Sequence, residues 1–205
     1  RTLFESLLKD IKKSLSKSSS AELKNLYTEA MGEYIIQHRL EAHQLYIKAL
    51  EMGRELLEFD EDNKIKNPNS IRGVSNTLLN LGAFEQSEKY LKRLIPLYSG
   101  NSAQVGDTKA HLAYCFLRQG KLDKAERLIE GAIEEIKKNT AGKERKFIAV
   151  WLSYALLVKS LVLNARGDIS EALEVAKEAL QLSKKEDRKF RLKQAQELVD
   201  YLKKK

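Results

Sequence analysis

The chain has 205 residues, with 37 basic against 29 acidic (formal net charge +8), two prolines, ten glycines and one cysteine. That length suits one elongated domain or two small ones with a continuous core, and little proline with abundant Leu, Ala, Lys and Glu favours helix nearly throughout. The lone Cys115 excludes an internal disulfide framework and suits a reducing, cytoplasmic compartment, with the thiol packed rather than reactive. No segment alternates with a period of two between turn signals, as strands require, so the fold class is all-α.

The opening residues, RTLFESLLKDIKKSL, carry an apolar stripe of Leu3, Phe4, Leu7, Leu8 and Ile11 with basic residues opposite. Lys17 to Ser20 breaks that helix, and the Ser20 hydroxyl can cap the next, Ala21 to Gln37. Its pattern buries Leu23, Leu26, Tyr27, Ala30, Tyr34 and Ile35. A third helix, Leu40 to Phe59, offers Ala42, Leu45, Tyr46, Ala49, Leu50, Leu56 and Leu57 for packing. The polar run Asp60 to Asn69 is the longest loop signal. It lacks the spaced ligands, central glycine and closing glutamate of a calcium loop, and reads as a solvated connector. Helices follow over Ser70 to Leu81 and Phe84 to Tyr98, where Pro96 loosens the last turn by removing a backbone donor.

A central pair, His111 to Ile136, is hinged at Gly120. Leu112, Ala113 and Phe116 share one face before the hinge; Leu122, Ala125, Ile129, Ala132, Ile133 and Ile136 share one after it. Long helices from Lys143 to Arg166 and from Ile169 to Lys184 come next. The most apolar run, Phe147 to Leu163, includes Ser153, Tyr154, Lys159 and Ser160. It reads as a buried helix that falls short of the roughly 18 uninterrupted apolar residues of a membrane span. The last helix, Arg188 to Lys203, sets Phe190, Leu192, Ala195, Leu198, Val199 and Leu202 on or near one face, its polar remainder suiting a terminal cap.

Superimposing the hinges exposes a repeat: LNLGAFEQSEKYLKRL from Leu79, LRQGKLDKAERLIEGA from Leu117 and NARGDISEALEVAKEA from Asn164. Gly82, Gly120 and Gly167 coincide, each followed by an apolar residue (Phe84, Leu122, Ile169) and then a small one (Ser87, Ala125, Ala172). Further on lie Leu91, Ile129 and Ala176, then Leu94, Ala132 and Ala179. Glycine turns the chain tightly, the small residue marks the closest approach of two antiparallel helices, and the later apolar positions face the neighbouring helices. This pattern resembles the tetratricopeptide repeat (TPR) family, most closely over Gly106–Asn139, then Ser153–Glu186 and Pro68–Asn101. A degenerate fourth copy surrounds Arg39 to Ala42, with Gln37 in the glycine slot. Residues 1–205 are read as a single domain: degenerate helices over 1–67, three repeats over 68–186, and a capping helix over 187–205.

The resemblance implies a right-handed α-α superhelix whose first helices line a concave groove that takes a protein or peptide segment. Carrying the family's groove positions across gives Asn69, Arg72, Asn76 and Asn80 in one repeat, Tyr114 and Arg118 in the next, and Tyr154, Leu161 and Asn164 in the third. Leu79, Asp107, Ala110, Leu117 and Leu157 also fall on the aligned face. Asparagine amides can hold a peptide backbone through donor and acceptor, and arginine can fork onto a carboxylate. The family's full clamp for a terminal carboxylate is not reproduced: His111, Tyr154 and Val158 stand at its positions. The hinges lie 38 (120 − 82) and 47 (167 − 120) residues apart, against a family norm of about 34. Such lengthened repeats look like those of bacterial peptide-sensing regulators.

No catalytic residue, metal site or cofactor is expected. His38, His43 and His111 lack metal-ligand spacing, and no phosphate-cradling loop or nucleophile–base pair is present. The function expected is a non-catalytic protein- or peptide-binding scaffold or sensor within a larger regulatory protein, consistent with a chain that begins at Arg1. No membrane association is expected, and homo-oligomerisation is left open. Alternatives are a basic helical repeat associating with nucleic acid, although the lysine runs are scattered, or an accessory domain of an enzyme whose catalytic part lies elsewhere.

Overall fold

The computed structural model describes residues 2–15, 20–38, 44–138, 145–185 and 189–205. They form two compact units, Arg1–Leu97 and Tyr98–Lys205, and every regular element among them is helical. The side chains of Leu3, Phe4, Leu7, Leu8, Tyr34, Ile35 and Leu45 lie outside the described residues, as do those of His38 and the whole of Leu40, Ala42 and His43.

The first unit contains α1 (Thr2–Leu15), α2 (Ala21–His38), α3 (Gln44–Asp62), α4 (Pro68–Asn80) and α5 (Phe84–Leu94). Ser20 caps α2 as its sequence position predicts, its hydroxyl accepting from the Leu23 amide at 3.5 Å. Asn67 caps α4, with Pro68 in the first turn, where its missing N–H costs nothing. After α5 the chain tightens into a 3-10 turn over Ile95–Tyr98, the loosening that Pro96 calls for. Ile11, Tyr27, Met31, Ala49 and Leu56 are buried together, and the Tyr27 and Phe59 rings meet edge to face at 5.1 Å. Leu26, expected inside, is half-exposed. The inward face of α2 runs through Tyr27, Thr28 and Met31, and Leu26 projects to one side of it.

Asp60 corrects the expectation of a solvated connector. It lies at the end of α3 and is buried. Its two carboxylate oxygens accept from the Thr28 hydroxyl of α2 at 2.7 Å and the Ser70 hydroxyl of α4 at 2.5 Å. Three helices are thus pinned at one polar point. Burial holds the carboxyl above the usual carboxylate range, the two hydroxyl bonds acting the other way. Because the folded value exceeds the unfolded one, the ionised group costs stability at neutral pH. That cost is relieved as pH falls through the folded value toward about 4. Wild type should therefore gain stability relative to Asp60→Asn between roughly pH 7 and pH 4, read from urea midpoints; a constant difference would refute a buried charge.

The second unit contains α6 (Ser102–Arg118), α7 (Leu122–Lys138), α8 (Arg145–Arg166), α9 (Ile169–Lys185) and α10 (Lys189–Leu202). α8 is its axis and packs against α6, α7, α9 and α10. On length and composition the stretch Phe147–Arg166 is apolar enough to cross a membrane, which corrects the expectation that it falls short. In this fold it is a core helix. Ala155, Leu156, Leu157, Val158 and Leu163 pack with Ile129, Ile136, Ala176 and Val199, and Lys159 pairs with Glu171 of α9 at 3.6 Å. Cys115 is buried, as its position predicts. α10 buries Ala195, Val199 and Leu202, whereas Phe190, expected on that face, is 60% exposed. Five residues before Ala195, it is rotated about 140° from that stripe.

All three hinge glycines are left-handed, with φ of 77° at Gly82, 72° at Gly120 and 96° at Gly167. Each hinge closes with the same long backbone bond: Ala83 to Leu78, Lys121 to Phe116 and Asp168 to Leu163, at 2.9, 2.9 and 3.0 Å. A Cβ at those φ values would be strained, which is why glycine recurs there. The small-residue slot is equally regular. Ser87 donates to the Ser75 carbonyl across one hairpin, and Ser160 donates to the Ala172 carbonyl across another, both at 2.8 Å. Ala113 and Ala125 occupy the matching places in the central pair and are fully buried.

Candidate functional site

The aligned groove residues fall in both units. In the first, the Asn69 amide donates to the Asn67 side chain in the cap of α4. Arg72 is half-buried and Asn80 exposed on the same helix. Asn76, between them in sequence, is buried at 5% exposure and presents almost no surface.

In the second unit α8 is flanked by α6 and α10, both of which it contacts. On α6 the exposed Arg118 donates to the Tyr114 hydroxyl at 2.9 Å, its guanidinium 5.8 Å from the ring centre. The four-residue spacing puts the two side chains on one face of α6. Further back on α6, His111 stacks on Tyr154 of α8, ring centres 4.2 Å apart and tilted by 31°. The His111 Nδ1 lies 2.9 Å from the Asp107 carbonyl and 3.7 Å from its carboxylate, so a proton on Nδ1 is directed to Asp107. On α10, the Arg191 guanidinium lies over Tyr154 at 4.7 Å from the ring centre. Three alternate helices, α6, α8 and α10, thus contribute a histidine, a tyrosine and an arginine to one stack. Leu161 and Asn164 lie further along α8, and Asn164 accepts from the Lys205 ammonium at 3.0 Å.

The electrostatics follow from enclosure. Burial pushes the Tyr154 hydroxyl far above its ordinary value, with Arg191 acting against the shift, so the phenol stays neutral. Burial also lowers the Arg191 guanidinium, opposed by Tyr154 and Asp107. An arginine begins so high that it remains a cation at any physiological pH. The arrangement offers a cation, hydrogen-bond donors and covered ring faces, which suits holding a polar group. Among the described residues, no three His, Cys, Asp or Glu side chains gather as a metal would require.

Alignment reached Tyr114, Arg118 and Tyr154, and noted His111 and Asp107 beside them. Arg191 was missed. The register of α10 was read from its apolar stripe alone, which gives a cap and no groove position. Its packing against α8 as well as α9 gives it the place of the first helix of a further pair.

No family model matches the sequence, and no curated protein matches it either. Solved structures do share the fold. The apo form of RapI aligns with 90% of this chain at a TM-score of 0.61 and 15% identity. Two structures of a protein described as a kinesin light chain from Podosopora anserina, built of nearly identical TPR-like repeats, each align with 85% of this chain and 92% of that one. Their TM-scores are 0.51, and their identities 13% and 14%. The fold is therefore a TPR-like helical repeat. The chain spans 64% of the length of RapI.

Proposed function

We propose that the chain is a non-catalytic, cytoplasmic binding module that takes a protein or peptide segment against the first helices of its repeats, as part of a larger regulatory protein. The observation that carries this reading is the face shared by α6, α8 and α10, where Tyr114, Arg118 and Arg191 stand around the covered Tyr154 over a continuous apolar core. Rigid aromatic and arginine side chains on a packed backing are what recognition surfaces use as anchors, because little entropy is lost when they bind. In this reading Leu161 and Asn164 lie at the far end of that face, and in the first unit Asn69, Arg72 and Asn80 form a polar face of their own on α4 with Asn76 beneath. A fluorescently labelled pool of random-sequence peptides should bind saturably. Leu161→Ala should weaken that binding about tenfold at unchanged helicity, the order expected for one anchoring contact. Absence of binding by wild type, or equal binding by the variant, would overturn the assignment.

A further inference from the structure

We propose that the His111–Tyr154–Arg191 stack is a pocket for the side-chain carboxylate of an acidic peptide, a narrowing of the ligand class that rests on the groove reading above. Arg191 is a half-buried cation with incomplete local compensation. One terminal nitrogen donates to the neutral Gln194 side chain at 2.5 Å, one ring face lies beneath it, and its Nε is buried without a hydrogen-bond partner. The carboxylate whose charge acts on it is Asp107, which is turned toward His111 on its own helix. A guanidinium so placed gains most from an incoming carboxylate, since the two match as a planar fork and the surrounding protein screens them less than water does. The lowering of the Arg191 guanidinium by burial is in keeping with a site short of negative charge.

The geometry disfavours a nucleic-acid occupant. Base stacking needs an open aromatic face, and Tyr154 is covered by His111 from α6 and by Arg191 from α10, the helices on either side of its own. What the stack leaves to a ligand is charge and hydrogen bonding.

The test titrates the whole chain, at roughly physiological salt, with a labelled hexaglutamate amide, its hexaglutamine counterpart and a short oligonucleotide. The glutamate peptide should bind about tenfold or more tightly than the glutamine peptide, as a hydrogen-bonded charge pair warrants. Arg191→Gln should abolish that preference, whereas Lys184→Gln, which removes the same charge from an exposed position on α9, should keep it. Should Arg191→Gln fail to fold, the wild-type preference and Arg191→Lys decide, since lysine keeps the charge but loses the fork and should lose most of the preference. Equal effects of Arg191→Gln and Lys184→Gln, full preference in Arg191→Lys, or tighter binding of the oligonucleotide would each overturn the pocket. Equal binding of the two peptides, weakened by Leu161→Ala, would overturn carboxylate recognition and leave the groove reading standing. Binding of neither would remove the pocket, and failure of the random pool as well would remove both.

Discussion

Replacing Ala125 by Leu is expected to destabilise the protein by about 1–3 kcal/mol, lowering the melting temperature by about 2–4 °C for each kcal/mol lost. Ala125 lies in the first turn of α7 and is fully buried, as is Ala113 on α6. The equivalent positions in the flanking hairpins are near enough for a serine hydroxyl to reach the opposing backbone at 2.8 Å. No room exists there for three more carbons unless the helices part. Parting them would disturb Ile129 and Ile136, which pack on the same seam and are nearly free of solvent. Ala125→Ser is the informative companion. A hydroxyl there can bond a carbonyl of the facing helix, as Ser87 does in the first unit, so this change should cost far less than leucine. Equal melting temperatures for wild type and Ala125→Leu would mean that the α6–α7 seam is looser than its spacing indicates.

The same seam explains which parts of the fold could be read in the sequence. A hinge glycine, a small residue five positions later and apolar residues beyond it are local signals repeated three times, and repetition distinguishes them from chance. Leu91, Ile129 and Ala176 are buried in register, as are Leu94, Ala132 and Ala179. Where the repeat carries no such mark, the reading loses its grip. Asp60 was placed in a solvated loop because an acidic run has that meaning on average. Its burial depends on hydroxyls 32 residues before it and 10 after it, which only tertiary structure brings together. Leu26 and Phe190 were assigned inward by apolar character, but the stripes that are buried follow neighbouring residues. The candidate face shows the same division. Tyr114 and Arg118 share a helix, so their spacing announces the pair. Arg191 meets Tyr154 through the packing of separate helices, and no local spacing in the sequence ties the two positions. Side-chain contacts of this kind are assembled between repeats, whereas the repeat itself is written within each one.

Two glycines on facing helices should respond to alanine with opposite signs. Gly106, on α6, is buried, and a Cβ there would lie 2.6 Å from the Ala132 carbonyl oxygen, 2.7 Å from Ile136 Cγ1 and 3.0 Å from the Ile136 amide nitrogen of α7. Two of those three atoms are backbone, so no rotamer change can make room; α6 and α7 must separate. Gly131, on α7, has nothing within 4 Å of the same hypothetical atom. It therefore carries glycine's entropic cost in a helix with no steric benefit visible around it. Gly131→Ala should stabilise by about 0.5–1 kcal/mol. Gly106→Ala gains the same propensity term but must overcome a backbone clash of the overpacking kind, leaving a net loss of about 1–3 kcal/mol. Urea midpoints of the two variants and wild type decide it, and a common sign would mean that helix propensity, rather than the close approach of α6 and α7, governs Gly106. The double variant adds a check. Gly131 precedes Ala132, whose carbonyl the new methyl at Gly106 would strike. If the clash displaces this stretch of α7, the two changes should fail to add, with a coupling of about 0.5 kcal/mol or more.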